Sequence, residues 1–190
     1  MIVAVGATIV GAIIGVLIGL TAGYFGGWID AVLMRIMDGM FSFPFILLAM
    51  ILITVLGNGV MNVILAIGIA SVPGFARVTR GQVLIVKEEE YCNACRVVGV
   101  SPVRLLFLHI LPNCVSQIIV YATLRIASAI ISEASLSFLG LGIALPTASW
   151  GSILRVGRRL PDNRPARCGN RRRVYPRDCY RFQPVGRWYP

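Results

Sequence analysis

From Ile2 to Trp28 the chain carries no charged side chain. A helix crosses about 30 Å of hydrocarbon with roughly 20 mostly apolar residues, and lipid tolerates only segments whose backbone groups bond internally. One membrane-spanning helix is therefore expected at about 2–25. It is too long, and too poor in leader charge and cleavage-site residues, for a secretory signal peptide, so it is expected to be retained. Gly39 to Ala76 is also free of charge and long enough for two spans, with a tight turn expected at Gly57-Asn58-Gly59. These spans are placed at about 43–57 and 60–79. A fourth, about 113–140, follows Leu111-Pro112 and carries Arg125 and Glu133. The predicted fold class is all-α: a polytopic helical membrane protein with about four transmembrane helices, a cytoplasmic helical loop and an irregular C-terminal tail.

Charge fixes the orientation. The segment 77–112 holds Arg77, Arg80, Lys87, Glu88, Glu89, Glu90, Arg96, Arg104 and His109, and the positive-inside rule puts it in the cytoplasm. Counting spans outward places the loop around Asp30, Arg35 and Asp38 inside as well, and residue 1 and the 140s outside. The formal net charge of +10 belongs to the tail: residues 1–154 hold seven Lys/Arg against six Asp/Glu, and 155–190 eleven Arg against two Asp. A chain that is 57% apolar with a mean hydropathy of +0.79 is not a soluble nucleic-acid-binding domain.

The cytoplasmic loop carries a specific likeness. Glu90-Tyr91-Cys92-Asn93-Ala94-Cys95-Arg96-Val97-Val98-Gly99, then Ser101-Pro102 and His109-Ile110-Leu111-Pro112-Asn113, resembles the EAA loop of ABC importer permeases. Leu17 to Asp30 and Glu133-Ala134-Ser135-Leu136-Ser137-Phe138-Leu139-Gly140-Leu141-Gly142 resemble the dipeptide/oligopeptide/nickel branch, closest to its second permease subunit. Residues 1–157 are then expected to be a partial transmembrane domain, with a coupling loop at about 80–112. The resemblance implies that two short helices around a Gly99 turn dock on a cytoplasmic ATPase through Glu90, Tyr91, Asn93, Ala94, Cys95, Gly99, Leu111 and Pro112. It further implies a second permease subunit, two ABC ATPases, a periplasmic or lipid-anchored substrate-binding protein and membrane lipid as partners, in the bacterial inner membrane, with no cofactor and no nucleic acid. Helix physics agrees with the motif: acidic residues favour a helix start, Gly permits a left-handed turn, and Pro112 is expected to end the loop element before the next span.

Departures from the family pattern bear on activity. Asn93-Ala94-Cys95 stands where the family has Glu-Ala-Ala, which removes an acidic contact that Glu88, Glu89 and Glu90, about one turn away, replace only in part. An earlier span before Ile2 and a final span after Trp150 are expected from the family pattern and not found, so the chain reads as truncated. Arginine codons shifted by one base encode Val, Ala, Gly, Asp or Glu. The stretches Arg159–Pro165 and Phe182–Pro190 both permit family-like readings in one shifted frame, so residues 158–190 are expected to be a frameshift product. The alternatives are an inactive remnant of such a permease, or a membrane protein whose Arg-rich tail binds nucleic acid or anionic lipid.

Other motifs are weaker. Cys92 and Cys95 make a C-x-x-C without a second pair, and His109 is the only histidine, so they read as small helix residues, not a metal or redox site. Arg125 and Glu133 read as a transport-path pair, a structural salt bridge or a contact with the partner permease. Gly6, Gly11, Gly15 and Gly19 offer a face for helix dimerisation. With no nucleophile–base pair or phosphate loop in 1–154, the chain is not expected to be an enzyme.

Overall fold

The computed structural model describes residues 1–57, 59–142, 149 and 151–153; the expectations placed on residues 158–190 lie outside them. In chain order the helices are α1 (Ile2–Phe25), α2 (Gly27–Phe41), α3 (Phe45–Leu56), α4 (Val60–Val86), α5 (Glu90–Val97), α6 (Pro102–Arg104) and α7 (Leu111–Leu139), with a π-helical stretch, Leu105–Ile110, between the last two. Residues 102–139 therefore form one continuous helix. Among the described residues three helices are long and apolar enough to cross a membrane: α1, α4 and the composite helix ending in α7.

The expected span at 43–57 is shorter than foreseen. α3 has 12 residues, about 18 Å of helix, and reaches span length only in company with α2, from which it is bent by 91°. Pro44 makes the bend: it sits at the N-cap of α3 with ψ 132, and the residue before a proline is driven out of the helical region. α2 was expected to be a loop because it carries Asp30, Arg35 and Asp38; it is instead a helix whose two aspartates are paired across to α4. The Asp30 carboxylate accepts from Arg80 Nε and Nη2 at 2.5 and 2.6 Å, and Asp38 accepts from Arg77 at 2.6 Å. At the other end of α3, Asn62 donates to the carbonyls of Leu56 and Gly57 at 2.7 and 3.1 Å, satisfying acceptors the helix end leaves free.

Glycine on α1 lets α4 approach to backbone contact. A Cβ at Gly15 would stand 2.5 Å from Phe75 Cβ, and one at Gly19 2.5 Å from the carbonyl oxygen of Ala76. Helices in lipid gain little from apolar burial alone and associate through close van der Waals packing at small residues. The glycine face that offered a dimer contact is thus occupied within the chain by α4, which corrects that reading. One apolar cluster joins Val3, Ala4 and Ala7 of α1 to Ile53 of α3, Val63 and Ile67 of α4 and Leu136 of α7. A second joins Leu20 and Val83 to Cys92, Leu105, Leu106, Ile110 and Cys114, and so seats the segment after α4 on the ends of the spanning helices.

Candidate functional site

The segment between α4 and α7 folds as a helical knob. α5 begins with Glu89 at its N-cap and Glu90 in its first turn, where negative charge is favoured by the exposed N–H groups. It ends in a Schellman motif. Gly99 N–H donates to Arg96 O at 3.0 Å and Val100 N–H to Cys95 O at 3.1 Å, with Gly99 at φ 82, a conformation that costs other residues free energy. Ser101 and Pro102 then start α6, proline taking a first-turn position where its missing N–H is not needed.

Pro112 does not end the element, contrary to expectation. Its ring excludes the ordinary bond to the carbonyl of Leu108, and the turn just before it widens into the π-helical stretch Leu105–Ile110, which carries the helix past the proline. Asn113 bridges that irregular turn: its Nδ2 donates to His109 O and to the Tyr91 hydroxyl, both at 2.8 Å. α5 is thereby tied to α7. Burial, with a smaller push from the neighbouring Cys92, raises the Tyr91 phenol above its usual pKa, so the hydroxyl is neutral where it accepts this bond.

The knob has an inner and an outer side. Cys92 is fully buried and Cys95 packs beside it against Leu105, Leu106 and Ile110. Asn93, Ala94, Arg96 and Gly99 are exposed, and Val97 and Val98 are 88% and 82% exposed, with Val103 at 64%. These three valines give the outer side of the knob an apolar character. Asn93, at the position of the missing acid, accepts from Arg96 Nη1 at 2.9 Å. The structure brings Glu90, Tyr91, Asn93, Ala94 and Gly99 onto this knob. Cys95 turns inward, and Leu111 and Pro112 lie at its root in the span. Sequence reasoning missed Cys92 and Asn113 as its anchors; the i, i+3 spacing of Cys92 and Cys95, one apolar face of a short helix, was the available signal.

Arg125 and Glu133 are not paired. Arg125 Nη2 donates to Ser71 Oγ at 2.7 Å with its guanidinium over the Phe45 ring at 4.8 Å, and Glu133 accepts from Ser137 at 2.7 Å. Among the described residues no group of three His, Cys, Asp or Glu side chains is placed to hold a metal.

The sequence profile of the family described as "Binding-protein-dependent transport system inner membrane component" matches residues 15–158. The chain belongs to this family. Within that inner membrane component family it is 49% identical over 152 residues to the glutathione transport system permease protein GsiD of Escherichia coli O6:K15:H31 (strain 536 / UPEC), covering 80% of this chain and 50% of the relative. The GsiD of Shigella boydii serotype 4 (strain Sb227) gives the same figures. That of Shigella flexneri serotype 5b (strain 8401) is 49% identical over 132 residues, 70% of this chain and 44% of the relative. The chain spans about half the length of the curated relatives it matches. Membership of an inner membrane component family, with several long apolar helices, makes it a multi-pass membrane protein.

Proposed function

We propose that this chain is a permease subunit of a binding-protein-dependent ABC importer in the bacterial inner membrane, carrying a peptide-like substrate of the glutathione class. The relatives named for glutathione transport support the substrate class and favour it over nickel. The observation that carries the mechanism is the knob: a Gly99-hinged pair of short helices, apolar outside at Val97, Val98 and Val103, anchored inside by Cys92 and joined to α7 through Asn113. Its partners would be a second permease subunit forming the other wall of the path, two ATPases seated on the two knobs, and a periplasmic or lipid-anchored binding protein delivering substrate from outside. ATP-driven closure would push on the knob and tilt the spans.

We read 158–190 as lying outside the permease domain, because the family match stops at residue 158; sequencing the gene across the codons for Val156 to Pro165 tests this, and an unshifted frame sinks the frameshift reading. The function is tested by uptake of labelled glutathione in an E. coli strain lacking its GsiD and supplied with this chain. Restored uptake that is lost in Gly99→Val supports the assignment. Absence of uptake with the chain present in the membrane favours an inactive copy.

A further inference from the structure

Between residues 117 and 135, α7 carries a polar stripe whose serines Ser128, Ser132 and Ser135 bond back to carbonyls of their own helix and whose other contacts account for it only in part. Gln117, Tyr121, Arg125, Ser128, Ser132 and Ser135 follow one another at spacings of three or four, and at 100° per residue they fall within an arc of about 80° that no apolar side chain of the segment shares. The stripe is about 27 Å long at 1.5 Å per residue, close to the thickness of the hydrocarbon core. It borders the side that α7 packs: Ser132 is buried, whereas Gln117 and Ser128 are exposed. Tyr121 lies edge-on to Phe75 at 4.9 Å, and a Cβ at Gly74 would overlap its hydroxyl.

Arg125 stands in the middle of this stripe, about 21 Å along the helix from Leu111. A guanidinium at such depth is costly without compensation, and its compensation is incomplete. Ser71, which accepts from Nη2, is neutral and already donates to Ile67 O at 2.7 Å. Nε is buried and has no hydrogen-bond partner among the described residues. The ion pairs among the described residues are Asp38–Arg77 and Asp30–Arg80, so none of their carboxylates meets Arg125. Phe45 and Ser71 orient the guanidinium plane, and a planar anion pairs best with an oriented guanidinium.

We propose that Arg125 binds the carboxylate of a peptide substrate at mid-membrane, with the polar stripe of α7 forming the wall along which the peptide moves. This rests on the importer reading above and adds to it the ligand group and the residue that meets it.

The test uses the chain assembled with its partner permease, ATPases and binding protein in proteoliposomes, and follows uptake of a tripeptide acid and of the same tripeptide as its C-terminal amide. Each variant is compared with wild type for each peptide, which cancels the binding protein's own preference. R125Q is expected to lower uptake of the acid about 10-fold or more, the loss of one charged hydrogen-bonding partner. The amide should fall much less, and ATP hydrolysis stimulated by the loaded binding protein should persist. R125K keeps the charge but not the two-pronged geometry, and is expected to raise KM for the acid several-fold at little change in kcat. It decides the matter if R125Q fails to fold. Equal losses for both peptides, unchanged uptake in R125Q, or an unchanged KM in R125K overturns the proposal. Loss of assembly in both variants assigns Arg125 to a carboxylate of the partner permease and also overturns it. A wild-type complex inert toward both peptides refutes the importer reading, and this inference with it.

Discussion

Gly99 occupies φ 82 at the end of α5, and a built Cβ there meets nothing within 4 Å, so the constraint on this residue is conformational and not steric. Replacement by valine is expected to cost about 1–2 kcal/mol at this turn and to misdirect α6. The measurable result is ATP hydrolysis that no longer responds to the loaded binding protein, with the subunit still in the membrane. Asn93 offers the opposite experiment. It is exposed and engaged with Arg96, and Asn93→Glu restores the acid of the family pattern; tighter ATPase association in a pull-down at low salt, weakening as salt rises, is the expected outcome. The raised phenol pKa of Tyr91 carries a sign. A group that holds its proton more tightly when folded lends full stability below its unfolded value of about 10 and loses it as pH climbs further. Phenolate absorbance of Tyr91 should therefore appear at higher pH than that of a free tyrosine, and Asn113→Ala should change its midpoint. Gly99 was legible in the sequence because a left-handed turn names its residue. Cys92 was not: a small thiol reads alike whether it anchors a core or fills a helix, and only Leu105, Leu106 and Ile110 around it separate the two.

Among the elements, α1 was readable as a span from uninterrupted apolarity, α4 from the charge-free run that reaches Ala76, and α7 from the apolar run that continues past Arg125. α2 was hidden because charge was taken as a mark of a loop; Asp30 and Asp38 are instead matched by Arg80 and Arg77 on α4, a pairing that sequence spacing cannot announce. Pro112 misled for a related reason, since a proline ends a regular helix but a π-turn accommodates it. Three predictions belong here. Gly19→Leu drives a side chain into the α4 backbone at Ala76 and should cost several kcal/mol, at or above the usual overpacking range of about 1–3 kcal/mol, seen as loss of the protein from detergent extracts. Gly39→Ala, with nothing within 4 Å of its Cβ, should be neutral or stabilise α2 by up to about 1 kcal/mol. Exchanging the charges of Asp30 and Arg80 together should preserve the fold better than either single reversal, and a double-mutant cycle on thermal stability measures the coupling.

For the whole molecule, the arrangement of spans predicts that a fluorescent reporter placed after Glu89 lies in the cytoplasm, and that a cysteine at Ile2 reacts with an impermeant reagent from outside. The reverse pattern would invert the topology drawn from the positive-inside rule. One feature governs how such a molecule can move. Because Leu111–Leu139 is a single helix of 29 residues, the root of the knob and the far membrane face are the two ends of one helix roughly 44 Å long. A rocking of about 5° at the cytoplasmic end would then sweep the opposite end through about 4 Å, most of one helical turn's rise. If the knob is where an ATPase docks, as proposed above, a subunit built this way needs no relay of side chains across the bilayer: a push on the knob is already a displacement at the other side.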